Sequence, residues 1–155
     1  MKLMHKSFVD DMECFDPSVF GISKAEAEFM SPSQGILLEC SYLALRDAGF
    51  ERNEINGLNC GVFVGGTNAA SSSTATDFRS VRPSVYSATG AAVSITSGRV
   101  SYVFNFKGPN AAYDTACLSS LVALDAAISA LSEGKCDVAL VAGLNELFDS
   151  SQILC

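Results

Sequence analysis

The chain has 155 residues, room for one domain rather than two complete ones. Apolar residues make up 48% and charged residues 17%, against a usual charged share of about 25%, so the apolar surplus belongs in a core or against another chain. A net charge of −7 with no basic block excludes the phosphate-neutralising surface of a nucleic-acid binder, and it disfavours an anionic membrane surface too.

The opening, Met1-Lys2-Leu3-Met4-His5-Lys6, runs into Asp10 and Asp11 without the apolar core of a signal peptide. No run of apolar residues is long enough for a membrane span. The expected compartment is the cytoplasm, with a plastid as the alternative should an upstream targeting segment exist. An aromatic cluster follows, Phe15-Asp16-Pro17 and Phe20-Gly21, which reads as irregular structure. The spacing predicts a short helix over 23–29, with Ser23 as N-cap and Glu26 closing a capping box. A longer helix is predicted from Ser31 as N-cap and Pro32 at the first helical position, with Gln34 completing a second box. Ile36, Leu37, Cys40, Leu43, Ala44 and Ala48 follow helical spacing, and Gly49 stops the run. Gly61-Val62-Phe63-Val64-Gly65-Gly66 reads as a buried strand bounded by glycines. Residues 67–84, rich in Ser, Thr and Ala, read as a loop or weak helix of functional rather than idle kind.

A further helix is predicted over 93–104, with Val93, Thr96, Val100 and Val103 on one stripe. After a turn at Gly108-Pro109, Ala111-Ala112-Tyr113 reads as a short strand. Residues 117–132 give the strongest helical pattern, with Leu118, Leu121, Val122, Leu124, Ile128 and Leu131 apolar and alanines filling most of the rest. A helix apolar nearly all round belongs in the centre of a fold. Gly134 closes it, and residues 137–143 form another apolar strand. Strands alternating with helices indicate an α/β fold covered on both faces of its sheet. About three strands can be placed, fewer than such a core needs, so the chain reads as incomplete.

Six cysteines stand at 14, 40, 60, 117, 136 and 155, with no CxxC pair and a single histidine. That excludes closely spaced zinc ligands, and a disulfide framework suits a smaller, core-poor secreted domain. Most of the thiols are expected to be reduced and buried as small hydrophobes. Cys117 differs, because Tyr113-Asp114-Thr115-Ala116-Cys117 puts it where a strand turns into the strongest helix. Unbonded amide N–H groups and the positive end of the helix dipole converge at such a point. They favour a thiolate nucleophile and can hold the oxyanion formed when a thioester carbonyl is attacked. Ala116, Ser119 and Ser120 leave room for a substrate. The chemistry that fits is acyl transfer onto Cys117. The plainer reading is a core cysteine in an apolar helix, with Asp114 and Thr115 as ordinary helix caps. His5 reads as solvated, and nothing in the sequence brings it to Cys117 as a base.

At these residues the sequence resembles the β-ketoacyl synthases, specifically the ketosynthase domain of polyketide synthases. The family signature DTACSSSLVAL stands here at 114–124 with Leu118 as the one change. Gly98-Arg99-Val100-Ser101-Tyr102 with Gly108-Pro109, the Asp16-Pro17 to Gly21-Ile22-Ser23 segment, the 39–49 helix and the stretch from Gly134 to Asn145 match in order. Other departures are Ser31, Ser33 and Gly35 in the MDPQQR segment, Tyr42 for a Trp, Ala91 for an Asn and Asp125 for a His.

The resemblance implies a thiolase-like α/β fold, in part only, with a mixed sheet and a buried central helix carrying the nucleophile. It implies a homodimer joined through the 111–113 strand. Cys117 would accept an acyl group from acyl carrier protein, whose phosphopantetheine arm delivers it, so no bound cofactor is expected. A malonyl-type extender would then condense with it by decarboxylative Claisen chemistry, in polyketide or fatty-acid synthesis. The family's catalytic histidines and lysine lie in a C-terminal half, and its first strand precedes the 16–23 segment. Both are expected to be absent from 1–155, so these residues alone should neither condense thioesters nor stay soluble. The alternative is a non-catalytic chain-length-type partner subunit, against which the retained Cys117 counts. A fatty-acid chain elongator of the same fold is the third reading.

Overall fold

Side-chain alternation along one strand organises the molecule, whose computed structural model describes residues 14–66 and 93–145. That strand, β1 (Cys60–Gly66), is buried at every position. It pairs in parallel with β2 (Asn110–Tyr113) on one side and β3 (Val138–Leu144) on the other, giving the order β2-β1-β3. Before it come a short 3-10 helix (Pro17–Phe20), α1 (Lys24–Ala27), α2 (Pro32–Asp47) and α3 (Arg52–Ile55). Helix α4 (Val93–Val103) precedes β2, and α5 (Ser119–Ser132) lies between β2 and β3.

On one face of the sheet, Cys60, Val62 and Val64 of β1 join Leu140 and Leu144 of β3 against Leu37, Leu38 and Leu45 of α2 and Val100 of α4. Phe104 and Phe106, just after α4, complete that core, and their rings lie 5.4 Å apart. On the other face Phe63 meets Ala123, Ala127 and Ala130 of α5, with Cys136 beside them. The α/β class expected from the sequence is the one observed, and all strand pairs among the described residues are parallel rather than mixed.

Helix ends follow local chemistry. After α2, Gly49 takes φ 93° and the amide of Phe50 bonds the Leu45 carbonyl at 3.0 Å, which satisfies a carbonyl the helix leaves unbonded. Gly134 does the same after α5 at φ 67°, with Lys135 N donating to Ala130 O at 2.9 Å. Neither predicted N-terminal box is complete. Ser23 Oγ accepts from the Glu26 amide at 3.2 Å, but the Glu26 carboxylate pairs with Arg99 of α4 instead of turning back. Ser31 makes no capping bond; its hydroxyl meets that of Ser33 at 2.7 Å.

Three expectations are corrected by packing. The buried stripe of α2 is Gln34, Leu37, Leu38, Ser41 and Leu45, so Cys40, Leu43 and Ala44 face outward. The helix expected over 117–132 begins at Ser119, and it is buried on one face rather than all round. Its alanines press on the sheet, while Leu121 (62% exposed), Leu124, Ile128 and Leu131 point away. The thiols are not mostly buried: Cys60 and Cys136 are, whereas Cys14, Cys40 and Cys117 are exposed. His5, Cys155 and the 67–84 segment lie outside the described residues. No described helix is long and apolar enough to cross a membrane.

Candidate active site

Strand β2 ends at Tyr113, and within a few residues the chain has turned into α5. The turn is tight because Ala116 adopts φ 53°, a left-handed conformation that costs a non-glycine residue about 1–2 kcal/mol. Three hydrogen bonds hold it. Ala116 N donates to Asp114 Oδ1 at 3.3 Å, Thr115 N donates to Ser119 Oγ at 2.8 Å, and Ser119 Oγ donates to Ala116 O at 2.8 Å. Ser119 is 3% exposed, so its hydroxyl is a buried clip between the helix and the preceding turn. Cys117 lies in a short 3-10 helix (Ala116–Leu118) immediately before α5 and is exposed. The plain core-cysteine reading is therefore overturned.

A cavity of about 280 Å³ is lined by Cys117, Ser120, Gly65-Gly66 of β1 and Leu144-Asn145 at the end of β3. It lies at the carboxyl ends of parallel strands, the usual place for ligands in open α/β sheets. The Ser119 amide that opens α5 already bonds the Ala116 carbonyl, so what the helix start adds at this turn is the positive end of its dipole. A larger hollow of about 500 Å³ beside Phe15 and Met30 is lined by no cysteine. Another, of about 310 Å³, is lined by Cys40, but that thiol stands mid-helix, away from any helix start. Geometry thus selects the smaller cavity.

The buried thiol of Cys60 provides the contrast. Burial pushes it up to about 11, opposed by a hydrogen bond from the Leu140 backbone, so it stays protonated and unreactive at neutral pH. Neither expected cap is made: Asp114 accepts from the Ala116 amide one residue ahead of the cap position, and Thr115, which holds that position, makes no side-chain cap bond. The Ser119 clip went unforeseen, since Ser119 counted only as a small neighbour; a serine opening an apolar helical run was the available signal. Among the described residues no group of three His, Cys, Asp or Glu could hold a metal ion.

Comparison with known proteins bears on this geometry. The family model for the β-ketoacyl synthase N-terminal domain matches residues 1–155. The chain is 44% identical over 145 residues to the hybrid PKS-NRPS synthetase apdA of Emericella nidulans, covering 94% of this chain and 4% of that protein. It is 42% identical over 140 residues to polyketide synthase PksN of Bacillus subtilis, covering 90% of this chain and 2% of that protein. Among solved structures, the oxazolomycin ketosynthase domain OzmH KS7 of Streptomyces albus JA3453 superposes with a TM-score of 0.80 at 34% identity, covering 95% of this chain and 26% of that one. The ketosynthase from module 6 of the bacillaene synthase of Bacillus subtilis 168 gives 0.75 at 34% identity, covering 95% and 24%. The chain thus spans a few per cent of these curated relatives and about a quarter of these solved chains.

Proposed function

This chain belongs to the β-ketoacyl synthase family, in its N-terminal domain, and from that premise we propose that Cys117 is the acyl-accepting nucleophile of a polyketide-type condensing enzyme. The observation that carries this is an exposed thiol at the β2-to-α5 turn, beside a cavity and at the mouth of a long helix. The sulfur attacks the thioester carbonyl of an acyl group carried on the phosphopantetheine arm of acyl carrier protein. A Cys–S–acyl bond forms, the carrier's C–S bond breaks, and the thiol proton leaves with the carrier sulfur. The positive end of the α5 dipole favours the negative oxygen of the tetrahedral intermediate. A malonyl-type extender then loses carbon dioxide, and its carbanion takes the acyl group and frees the Cys117 sulfur. The groups that promote this second half belong to a part of the domain beyond these residues, so 1–155 is a partial synthase domain.

Several features support the wider reading. The outward leucines of α5 are the kind of surface that the rest of a domain would cover. Among the described strands β2 has a neighbour on one side only, which leaves an edge for a homodimer. The named relatives are polyketide synthases or hybrids, which favours polyketide over fatty-acid use. No resident cofactor is needed, because the acyl groups arrive on the carrier arm, and the expected setting is the cytoplasm.

The test is to treat the full-length natural protein with an acyl thioester, iodoacetamide or cerulenin and map the adducts by mass spectrometry. Selective modification of Cys117, lost in Cys117→Ser, is expected. Equal modification of Cys14, Cys40 and Cys117 would overturn the assignment.

A further inference from the structure

We propose that Gly65 and Gly143 are positioning residues that set where the Cys117 sulfur sits, an inference that rests on Cys117 being the nucleophile. They lie level with each other on β1 and β3. Neither has a positive φ, so backbone conformation does not explain why glycine stands there. Proximity does. A Cβ at Gly65 would land on the Ser119–Ser120 peptide, 2.6 Å from the Ser120 amide nitrogen and closer still to the Ser119 carbonyl. A Cβ at Gly143 would run into Ser120 Oγ well inside 3.0 Å and lie 3.3 Å from the Ser120 Cβ.

The first turn of α5 therefore rests on two bare Cα atoms, with its backbone against Gly65 and the Ser120 side chain against Gly143. The consequence reaches the sulfur through named bonds. Ser119 belongs to the peptide seated on Gly65, and its hydroxyl clips both Thr115 N and Ala116 O. Lifting the 119–120 peptide off the sheet would drag the 115–117 turn with it. By contrast, a Cβ at Gly98 in α4 meets nothing within 4 Å, which makes that position the control.

The experiment measures the initial rate of Cys117 acylation by a small acyl thioester, per folded molecule, in the full-length natural protein. Gly143→Ala is expected to slow it about tenfold or more, since a misplacement near 1 Å can cost about a hundredfold. Gly65→Ala, which meets backbone rather than a side chain, should slow it further. Adding Ser120→Ala to Gly143→Ala removes the obstructing oxygen and should restore the rate to that of Ser120→Ala alone. Gly98→Ala should acylate like the parent. A purely stabilising role would lower the melting midpoint, leave the rate per folded molecule unchanged and show no rescue. Parent-like acylation by Gly143→Ala, or a double variant that stays slow, overturns the proposal. Acylation that survives Cys117→Ala would instead sink the nucleophile assignment, whatever the glycine variants do.

Discussion

The two faces of the sheet are built on opposite plans. Toward α2 and α4 the strands present Val62, Val64, Leu140 and Leu144, which interdigitate with leucines and phenylalanines. Toward α5 they present mostly glycine and alanine, with Phe63 and, at the end of β2, Tyr113 as the large residues packed there. One face gains stability from buried volume, with Leu38 and Val64 fully buried. The other gives up volume so that a helix can come close enough for its first turn to touch the strands. Large residues stabilise the platform, and small ones fix the position of what stands on it.

This contrast can be broken from either side, with unfolding followed by urea titration of the full-length protein. The largest effect is expected from removing volume on the α2 side: Leu38→Ala should cost about 2–5 kcal/mol through the cavity it leaves. Adding volume on the α5 side should cost less. Ala127, 2% exposed against the sheet, should lose about 1–3 kcal/mol as Ala127→Leu through overpacking. If Leu38→Ala were tolerated and Ala127→Leu were neutral, the two faces would not differ as described. The smallest effect concerns Cys60. An ordinary thiol ionises near 9.0, whereas burial holds this one up to about 11. The folded state therefore keeps a proton that the unfolded chain releases, so the contribution is whole below pH 9 and declines as pH climbs toward 11. The melting midpoint of the parent should fall more steeply over that interval than that of Cys60→Ala. Equal slopes would show that Cys60 is not coupled to folding.

Much of this architecture was legible from residue order alone. Glycine-bounded apolar runs marked β1 and β3, and Gly49 and Gly134 marked the helix stops, because each signal is local. The Cys117 turn was legible for the same reason, as a strand, a short polar link and a helix in succession. What stayed hidden depends on distant partners. Glu26 looked like a capping residue, yet its carboxylate goes to Arg99 in another helix, a largely buried cation that no local pattern announces. Cys40 sat on a helical spacing but faces outward, because α2 turns a stripe containing polar Gln34 and Ser41 inward. For α5, periodicity counted apolar positions without saying which would be covered. Alanine and leucine count alike in such a pattern, but only the smaller one permits the approach that Gly65 requires.

The outward leucine row of α5 also bears on how such a protein is born. No described residue buries Leu121, Leu124, Ile128 and Leu131, so a chain without their cover carries a greasy strip open to water. Such a strip is a natural landing place for chaperones that bind exposed apolar surface, and yield in a foreign host should depend on their supply.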